Sequence, residues 1–356
     1  MRKVFSFSLP FEFLVLLSYG EILVTCLTSC QEKYVVKGNT WRYAKEGEFP
    51  WMVSLQHVED ASVTHFCGGS LAAPHLVLTA CHCLVIHSVF SGTAKPFLTE
   101  ASSKVVVAGT LNNNRSDPNH FRTVVGISEF IIHPKCQHFN HQDPDDRGGW
   151  DYDFGLVVLK KNLTFDGKRF APFRLFAWNK FDLKKDLDRQ MGHHVECVAT
   201  GWGKRRVRYP NGSLIDDDGH DPRAYWPQMT VLQVKLDDFA SCYNILCAFD
   251  KAYCEVDHWW RSQLCATTEG QMEVCYGDSG GPLMCGSEKY LFGLVGWGPS
   301  CGKYKVPSVY PTIYDGLDFI KRYVSRDHTR LRTMNVGHDS LNCCYNVCNV
   351  FLFNNL

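Results

Sequence analysis

The run Gly-Asp-Ser-Gly-Gly-Pro at residues 277–282 sets one serine between glycines. Such a run suits a tight turn that exposes the hydroxyl and aligns neighbouring backbone N–H groups. Those donors are what the oxyanion of an acyl-transfer intermediate needs. A serine hydroxyl attacks only when a base takes its proton, and the base needs an acid to orient it. Upstream, His82 stands in LTACHC at the end of an apolar run, and Asp153 stands in DYDFGLVVL directly before another. A carboxylate there is costly unless paired, and an imidazole N–H is a suitable partner. The chemistry these residues suit is nucleophilic acyl transfer, with Ser279 as nucleophile, His82 as base and Asp153 behind it. Asp151 competes for the acid role, while the other histidines, His193 and His194 among them, read as surface or structural residues.

The elements that must position them are short and β-rich. WMVSLQHV, HLVLTA, SKVVVAGT, RTVVGISEFII, FGLVVL, MTVLQVKL and YLFGLVGW recur between clusters of Gly, Pro, Asn and Asp, which predicts an all-β chain of two barrels or sandwiches. One helix is predicted near the end, where TIYDGLDFIKRYV puts Ile313, Leu317, Ile320 and Tyr323/Val324 on one face. Residues 84–103, 134–150 and 204–228 read as long loops. Of the 356 residues, 45% are apolar and 21% charged, so the chain can bury a core. Lysine plus arginine (37) balances aspartate plus glutamate (37), which argues against a nucleic-acid partner bound through a basic face. Only the N-terminal stretch is apolar enough to consider for a membrane. There Arg2 and Lys3 precede the apolar run 4–17, and Gly20 and Ser29 offer small residues for cleavage, as in a secretory leader. The tetrapeptide LTSC ending at Cys30 also has the form of a lipoprotein box, though the apolar run ends well before it. The seventeen cysteines are mostly widely spaced, which fits disulfides in an oxidising compartment better than zinc. Asn114, Asn162 and Asn211 open glycosylation sequons in a secreted chain.

These segments resemble the chymotrypsin-like (trypsin-like) serine proteases over about residues 47–325. The resemblance rests on GEFPWMVSL (47–55), HFCGGSL (65–71), LTACHC (78–83), DYDFGLVVL (151–159), CVATGWG (197–203), CYGDSGGPLMC (275–285), GLVGWGPSC (293–301) and PSVYPTI (307–313), in that order. It implies two packed antiparallel six-stranded β-barrels, about 47–165 and 180–314, with a C-terminal helix. It also implies a division into signal peptide (1–29), short propeptide (30–37), peptidase domain (38–325) and tail (326–356). In the roles it implies, Ser279 is the nucleophile, His82 the general base and then acid, and Asp153 orients His82. The backbone N–H groups of Gly277 and Ser279 form the oxyanion hole. It implies disulfides Cys67–Cys83, Cys197–Cys285, Cys242–Cys265 and Cys275–Cys301; Cys247–Cys254 and Cys81–Cys136 are further pairings to weigh. No metal or cofactor is implied. The partners are a protein or peptide substrate and protein inhibitors, with no nucleic acid and no membrane beyond the leader.

Three features depart from that pattern. At the base of the primary pocket the trypsin-like aspartate is replaced by Glu273, followed by Val274. Ser308 takes a wall position usually held by glycine, while Gly298 keeps the facing wall open. An acidic but shallower pocket for lysine or arginine is expected, with a slot for small residues as the alternative. The activation terminus falls at Gly38 after Lys37 and reads GNTW, without the usual apolar anchor; VVKG (35–38) is nearer in type but three residues too far upstream. The long loops, mapped onto the family, rim the cleft and narrow substrate choice. The expected function is therefore a secreted serine endopeptidase made as a zymogen. The alternative is a catalytically silent homologue that binds protein through the same fold. An α/β-hydrolase esterase is excluded, because the order His, Asp, Ser is wrong.

Overall fold

The structure is a computed structural model of the 356-residue chain. It describes the backbone of 13–18 and 21–26, and residues 41–59, 62–86, 97–113, 122–139, 149–193, 196–204, 227–237, 239–255, 263–268, 272–299, 301 and 306–324. The chain divides into two compact units, Met1–Gly38 with His328–Leu356, and Asn39–Asp327. In the first, strands β1 (Phe13–Ser18) and β2 (Glu21–Cys26) pair as an antiparallel hairpin. The expected leader, propeptide, Gly38 terminus and tail otherwise lie outside the described residues.

The second unit begins with a strap, β3 (Trp41–Tyr43), followed by β4 (Met52–Glu59), β5 (Ser62–Ala73) and β6 (Leu76–Thr79). A small ribbon of β7 (Val85–Ile86) and β8 (Phe97–Leu98) precedes β9 (Lys104–Ala108) and β10 (Thr123–Ile132). A second ribbon, β11 (Gln137–Phe139) with β12 (Gly149–Asp151), leads into β13 (Gly155–Leu159). Parts of two segments expected as loops, 84–103 and 134–150, are thus paired ribbons. Backbone pairing across a closed turn satisfies donors and acceptors that a bare loop would leave to water. Of the third expected loop, residues 205–226 lie outside the described residues. Strands β10-β13-β6-β5-β4-β9 close into a barrel, and Val53, Leu55, Leu71, Leu78, Val106, Ile127 and Leu156 belong to its buried core.

The remaining elements are α1 (Lys180–His193), β14 (Cys197–Gly201), β15 (Thr230–Asp237), α2 (Phe239–Phe249), β16 (Gln263–Thr267), β17 (Pro282–Cys285), β18 (Tyr290–Leu294), β19 (Ser308–Pro311) and α3 (Ile313–Val324). The second six strands run β18-β17-β14-β15-β16-β19, with β3 added beside β15 as a seventh. This set is the half-barrel sheet of the expected double-barrel architecture, and the bridges Gly293–Thr312 and Trp297–Val309 link the ends of its edge strands.

Helix α1 is legible in retrospect. Asn179 Oδ1 accepts from the Asp182 N–H at 2.9 Å, an N-cap, and Leu183, Asp186, Leu187 and Gln190 are its buried face. The predicted C-terminal helix is α3. Thr312 lies just ahead of it and donates its hydroxyl to Asp315 at 3.0 Å, while Ile313, Gly316, Leu317, Phe319, Ile320 and Val324 are buried. Gly316 has a specific reason to be glycine, since a Cβ there would stand 2.7–2.9 Å from ring atoms of Phe154. Phe154 is fully buried and immediately follows Asp153, so α3 backs the segment that carries that carboxylate.

Gly316→Ala is expected to lower the unfolding free energy by on the order of 1 kcal/mol in urea melts. Overpacking against Phe154 costs about 1–3 kcal/mol, against a helix-propensity gain of roughly 1 kcal/mol. A stabilised variant would show that the ring gives way freely.

Candidate active site

His82 sits in a 3-10 turn, Cys81–Leu84, directly after β6. Its position is tied down on both sides by disulfides, Cys67–Cys83 to β5 and Cys81–Cys136 to the β10–β11 connection. Asp153 precedes β13, which pairs with β6 so that Gly155 lies opposite Thr79. The pairing therefore brings the carboxylate to the turn. Asp153 Oδ2 lies 2.7 Å from His82 Nδ1, and Oδ1 accepts the His82 backbone N–H at 2.9 Å. Both oxygens are engaged and the side chain is fully buried, which suits a carboxylate whose role is to hold one ring orientation. Tyr152, just before it, has φ 48°, a left-handed conformation uncommon for a bulky residue. The Phe154 N–H closes back on the Tyr152 carbonyl at 2.7 Å. Asp151, the competing acid, lies one strand residue earlier in the β11–β12 ribbon opposite Gln137, and its Oδ1 accepts from the Tyr152 N–H at 3.1 Å.

The Ser279 turn meets the same place through bare backbone. The Gly68 N–H donates to the Ser279 carbonyl at 2.8 Å. A Cβ on Gly280 (φ 74°) would collide with Thr79 Oγ1 and stand 2.7 Å from the Gly68 carbonyl and 2.8 Å from the Ala80 nitrogen. The residue after Ser279 is thus packed against the two residues that lead into the His82 turn. Asp278 is buried, its Oδ1 accepting from the Gly203 N–H at 2.9 Å and its Oδ2 from the Cys275 N–H at 3.0 Å. Gly277 takes φ 94°. Among the described residues no carbonyl or side chain accepts from the N–H of Gly277 or of Ser279. Two neighbouring donors are therefore unspent.

Sequence reasoning missed a buried chain behind this turn. The Gln56 amide donates to Ser54 Oγ at 2.9 Å, Ser54 Oγ lies 2.7 Å from His65 Nδ1, and His65 Nε2 lies 2.8 Å from the Gly277 carbonyl. A carbonyl only accepts, so Nε2 carries the proton and Nδ1 takes the serine hydroxyl. The chain orients the Gly277 peptide from the first barrel. The fixed place of His65 in HFCGGSL was the available signal.

Not every expected contact is made. Among the described residues no hydrogen bond joins His82 to Ser279, and His82 Nε2 faces Cys83 Sγ at 3.8 Å. The Trp150 ring stands 6.0 Å from the imidazole, centroid to centroid, and the Trp150 carbonyl accepts from the Gln263 amide at 2.5 Å. The ribbon therefore presents an aromatic wall to the cleft. The sulfur atoms of Cys67, Cys83, Cys81 and Cys136 cluster near His82 and Asp153, but disulfide sulfurs offer no thiolate to a metal.

Glu273, Val274 and Ser308 are all buried. Ser308 Oγ donates to Glu273 Oε2 at 3.3 Å. A Cβ on Gly298 would stand 3.0 Å from Ser308 Oγ and 3.3 Å from Ser308 Cα. A side chain at 298 would therefore crowd the facing wall, and glycine leaves that space beside Ser308 clear. Removal from water pushes the Glu273 carboxyl up to about 7, assisted by the charge of Asp237 and opposed by hydrogen bonds from Thr268 and Ser308. A separate groove of about 710 Å³, lined in part by Phe49, Met52, Leu111, Arg169 and Met229, shares none of these residues.

Among the described residues there are six disulfides: Cys67–Cys83, Cys81–Cys136, Cys197–Cys285, Cys242–Cys265, Cys247–Cys254 and Cys275–Cys301. They include the four the resemblance implied and the two further pairings. Cys26, Cys30, Cys343, Cys344 and Cys348 remain, and nothing is described of their side chains. Asn162 is exposed, while Asn114 and Asn211 lie outside the described residues. Among the described residues no helix is long and apolar enough to cross a membrane.

Residues 40–218 and 230–320 match the Trypsin family, and the chain belongs to it as a chymotrypsin-like serine protease fold. Coagulation factor XI of Bos taurus is 26% identical over 278 residues, covering 77% of this chain. The match spans 36% of that protein, so the chain corresponds to about a third of its relative's length.

The raised Glu273 carboxyl has a consequence for stability. Its folded value lies above its unfolded value, so the folded state holds the proton more tightly and loses stability as pH rises from about 4.5 to about 7. Glu273→Gln cannot ionise. It is expected to gain on the parent protein across that window, by on the order of 2–3 kcal/mol at pH 8 in urea melts. A difference that does not change with pH would mean the carboxyl ionises normally.

Proposed function

We propose that the chain is a secreted serine endopeptidase that hydrolyses peptide bonds through Ser279, His82 and Asp153. The observation that carries this reading is the doubly hydrogen-bonded pair of Asp153 and His82, set beside a serine turn with unspent backbone donors. Asp153 holds Nδ1 protonated, which leaves Nε2 free to take the Ser279 proton. Ser279 Oγ then attacks the scissile carbonyl, and the developing oxyanion is met by the Gly277 and Ser279 N–H groups. His82 returns the proton to the leaving amine. Water repeats the sequence on the acyl-enzyme.

His82 and Ser279 come within hydrogen-bond reach when substrate seats, since catalytic hydrogen bonds in free enzymes are often long. Cleavage after basic residues follows from Glu273 at the pocket floor. Narrow choice of target follows from the Trp150 ribbon and the long connections. Secretion, a leader removed near residue 29, activation after Lys37 and glycosylation at Asn114, Asn162 and Asn211 belong to the same reading. The six disulfides support an oxidising compartment.

The altered pocket floor, where buried Glu273 is bonded to Ser308, favours a second reading, a silent homologue that binds protein without cutting it. An active-site phosphonate probe separates the two. Secreted protein is treated before and after trypsin-type cleavage at Lys37, and labelling that vanishes in Ser279→Ala is the expected result. No labelling in any form would assign the chain to the silent class. In the enzyme, Glu273→Gln is expected to reduce turnover of lysine and arginine substrates at least tenfold, and unchanged turnover would rule out the acidic pocket.

A further inference from the structure

The floor of the primary pocket differs in kind from an ordinary anionic site. Glu273 is only 7% exposed. Among the described residues it has no lysine, arginine or histidine partner, and its side-chain hydrogen bond comes from the uncharged Ser308 hydroxyl. The other titratable groups that face it carry or would carry negative charge. Asp237 stands at the end of β15, and fully buried Tyr310 lies on β19 two residues beyond Ser308. Ser308, which supplies the hydroxyl, is itself buried, at 4% exposure. A carboxylate in such a place is paired or it is neutral.

We propose that the primary pocket is proton-exchanging: Glu273 rests as a neutral carboxylic acid, and an arriving cationic side chain expels its proton. This deepens the proposed preference for basic residues and rests on it. In this exchange the Glu273 O–H bond breaks with its electron pair left on oxygen, and the proton passes to bulk water. The ammonium or guanidinium N–H groups then replace both that proton and the Ser308 hydroxyl. The raised affinity for protons at this carboxyl agrees with the geometry. An ionised floor would attract cations equally at pH 6 and pH 8, whereas an exchanging one favours them as pH rises. Below the transition the same acid offers a donor and an acceptor to an uncharged side chain.

The test is calorimetric titration of the full-length, Lys37-cleaved protein with benzamidine, a cationic probe, in buffers of differing ionisation enthalpy at pH 6, 7 and 8.5. About one proton is expected to leave per benzamidine at pH 6, falling toward none at pH 8.5. Affinity should rise about tenfold per pH unit below pH 7 and level off above it. Glu273→Gln, nearly the same shape, should bind more weakly with no proton release at any pH, and Asp237→Asn should move the transition to lower pH. Binding that is constant with pH and releases no proton overturns the exchange while leaving the basic preference standing. No benzamidine binding even at pH 8.5 overturns the basic preference and the exchange with it.

Discussion

The arrangement depends on one close approach between backbones. Residues 278–281 pass so near Gly68, Thr79 and Ala80 on one side, and Thr200, Gly201 and Gly203 on the other, that a single Cβ at Gly280, Gly201 or Gly203 would collide with its neighbours. Those neighbours belong to different sheets. Gly68 and Thr79 lie on β5 and β6 of the closed barrel, and Thr200 and Gly201 on β14 of the half-barrel. The serine turn is therefore the seam along which the two halves meet. The turn is bonded to both: the Ser279 carbonyl accepts from the Gly68 N–H, and the Asp278 carboxylate accepts from the Gly203 N–H.

Burial at this seam explains the electrostatics around it. Asp278 and Asp153 are both removed from water, yet each has two N–H groups aimed at its oxygens. Glu273 is a near neighbour in sequence and equally buried, but its side-chain partner is the neutral Ser308 hydroxyl, and burial raises its affinity for its proton. Burial and hydrogen-bond donors together set the electrostatics of such a group. The strap shows the same rule at the surface. Burial works against the Glu48 carboxyl, but Arg42, the Lys45 N–H and Lys289 together hold it at about 2. That network stabilises the attachment of the strap above the unfolded carboxyl range and is lost as pH falls toward 2.

Much of the site was legible because its chemistry is carried by unusual neighbours in the chain. A serine among glycines, a histidine between cysteines and an aspartate before an apolar strand each need a special backbone setting. The structure supplies those settings as a glycine-only turn, a doubly cross-linked 3-10 turn and a left-handed Tyr152. What escaped notice lacks such marks. Ser54 and Gln56 are two polar residues on a strand that otherwise reads as ordinary alternation, and only the arrival of His65 gives them a task. Helix α1 was hidden because its few apolar positions sit among charges, and α2 because FASCYNILCAF is apolar almost throughout and shows little amphipathic period. Tertiary contacts and the Cys242–Cys265 and Cys247–Cys254 bridges supplement weak local preference there.

By itself, then, the order of residues determined the period-2 runs, the turns between them, the glycines at the seam and the identity of the groups available for chemistry. Those are local properties, dictated by side-chain size and backbone freedom within a few positions. The burial of Glu273 against Ser308, and the chain from Gln56 through His65 to the Gly277 carbonyl, were decided only in three dimensions. Both depend on distances between strands far apart along the chain, which packing on all sides sets.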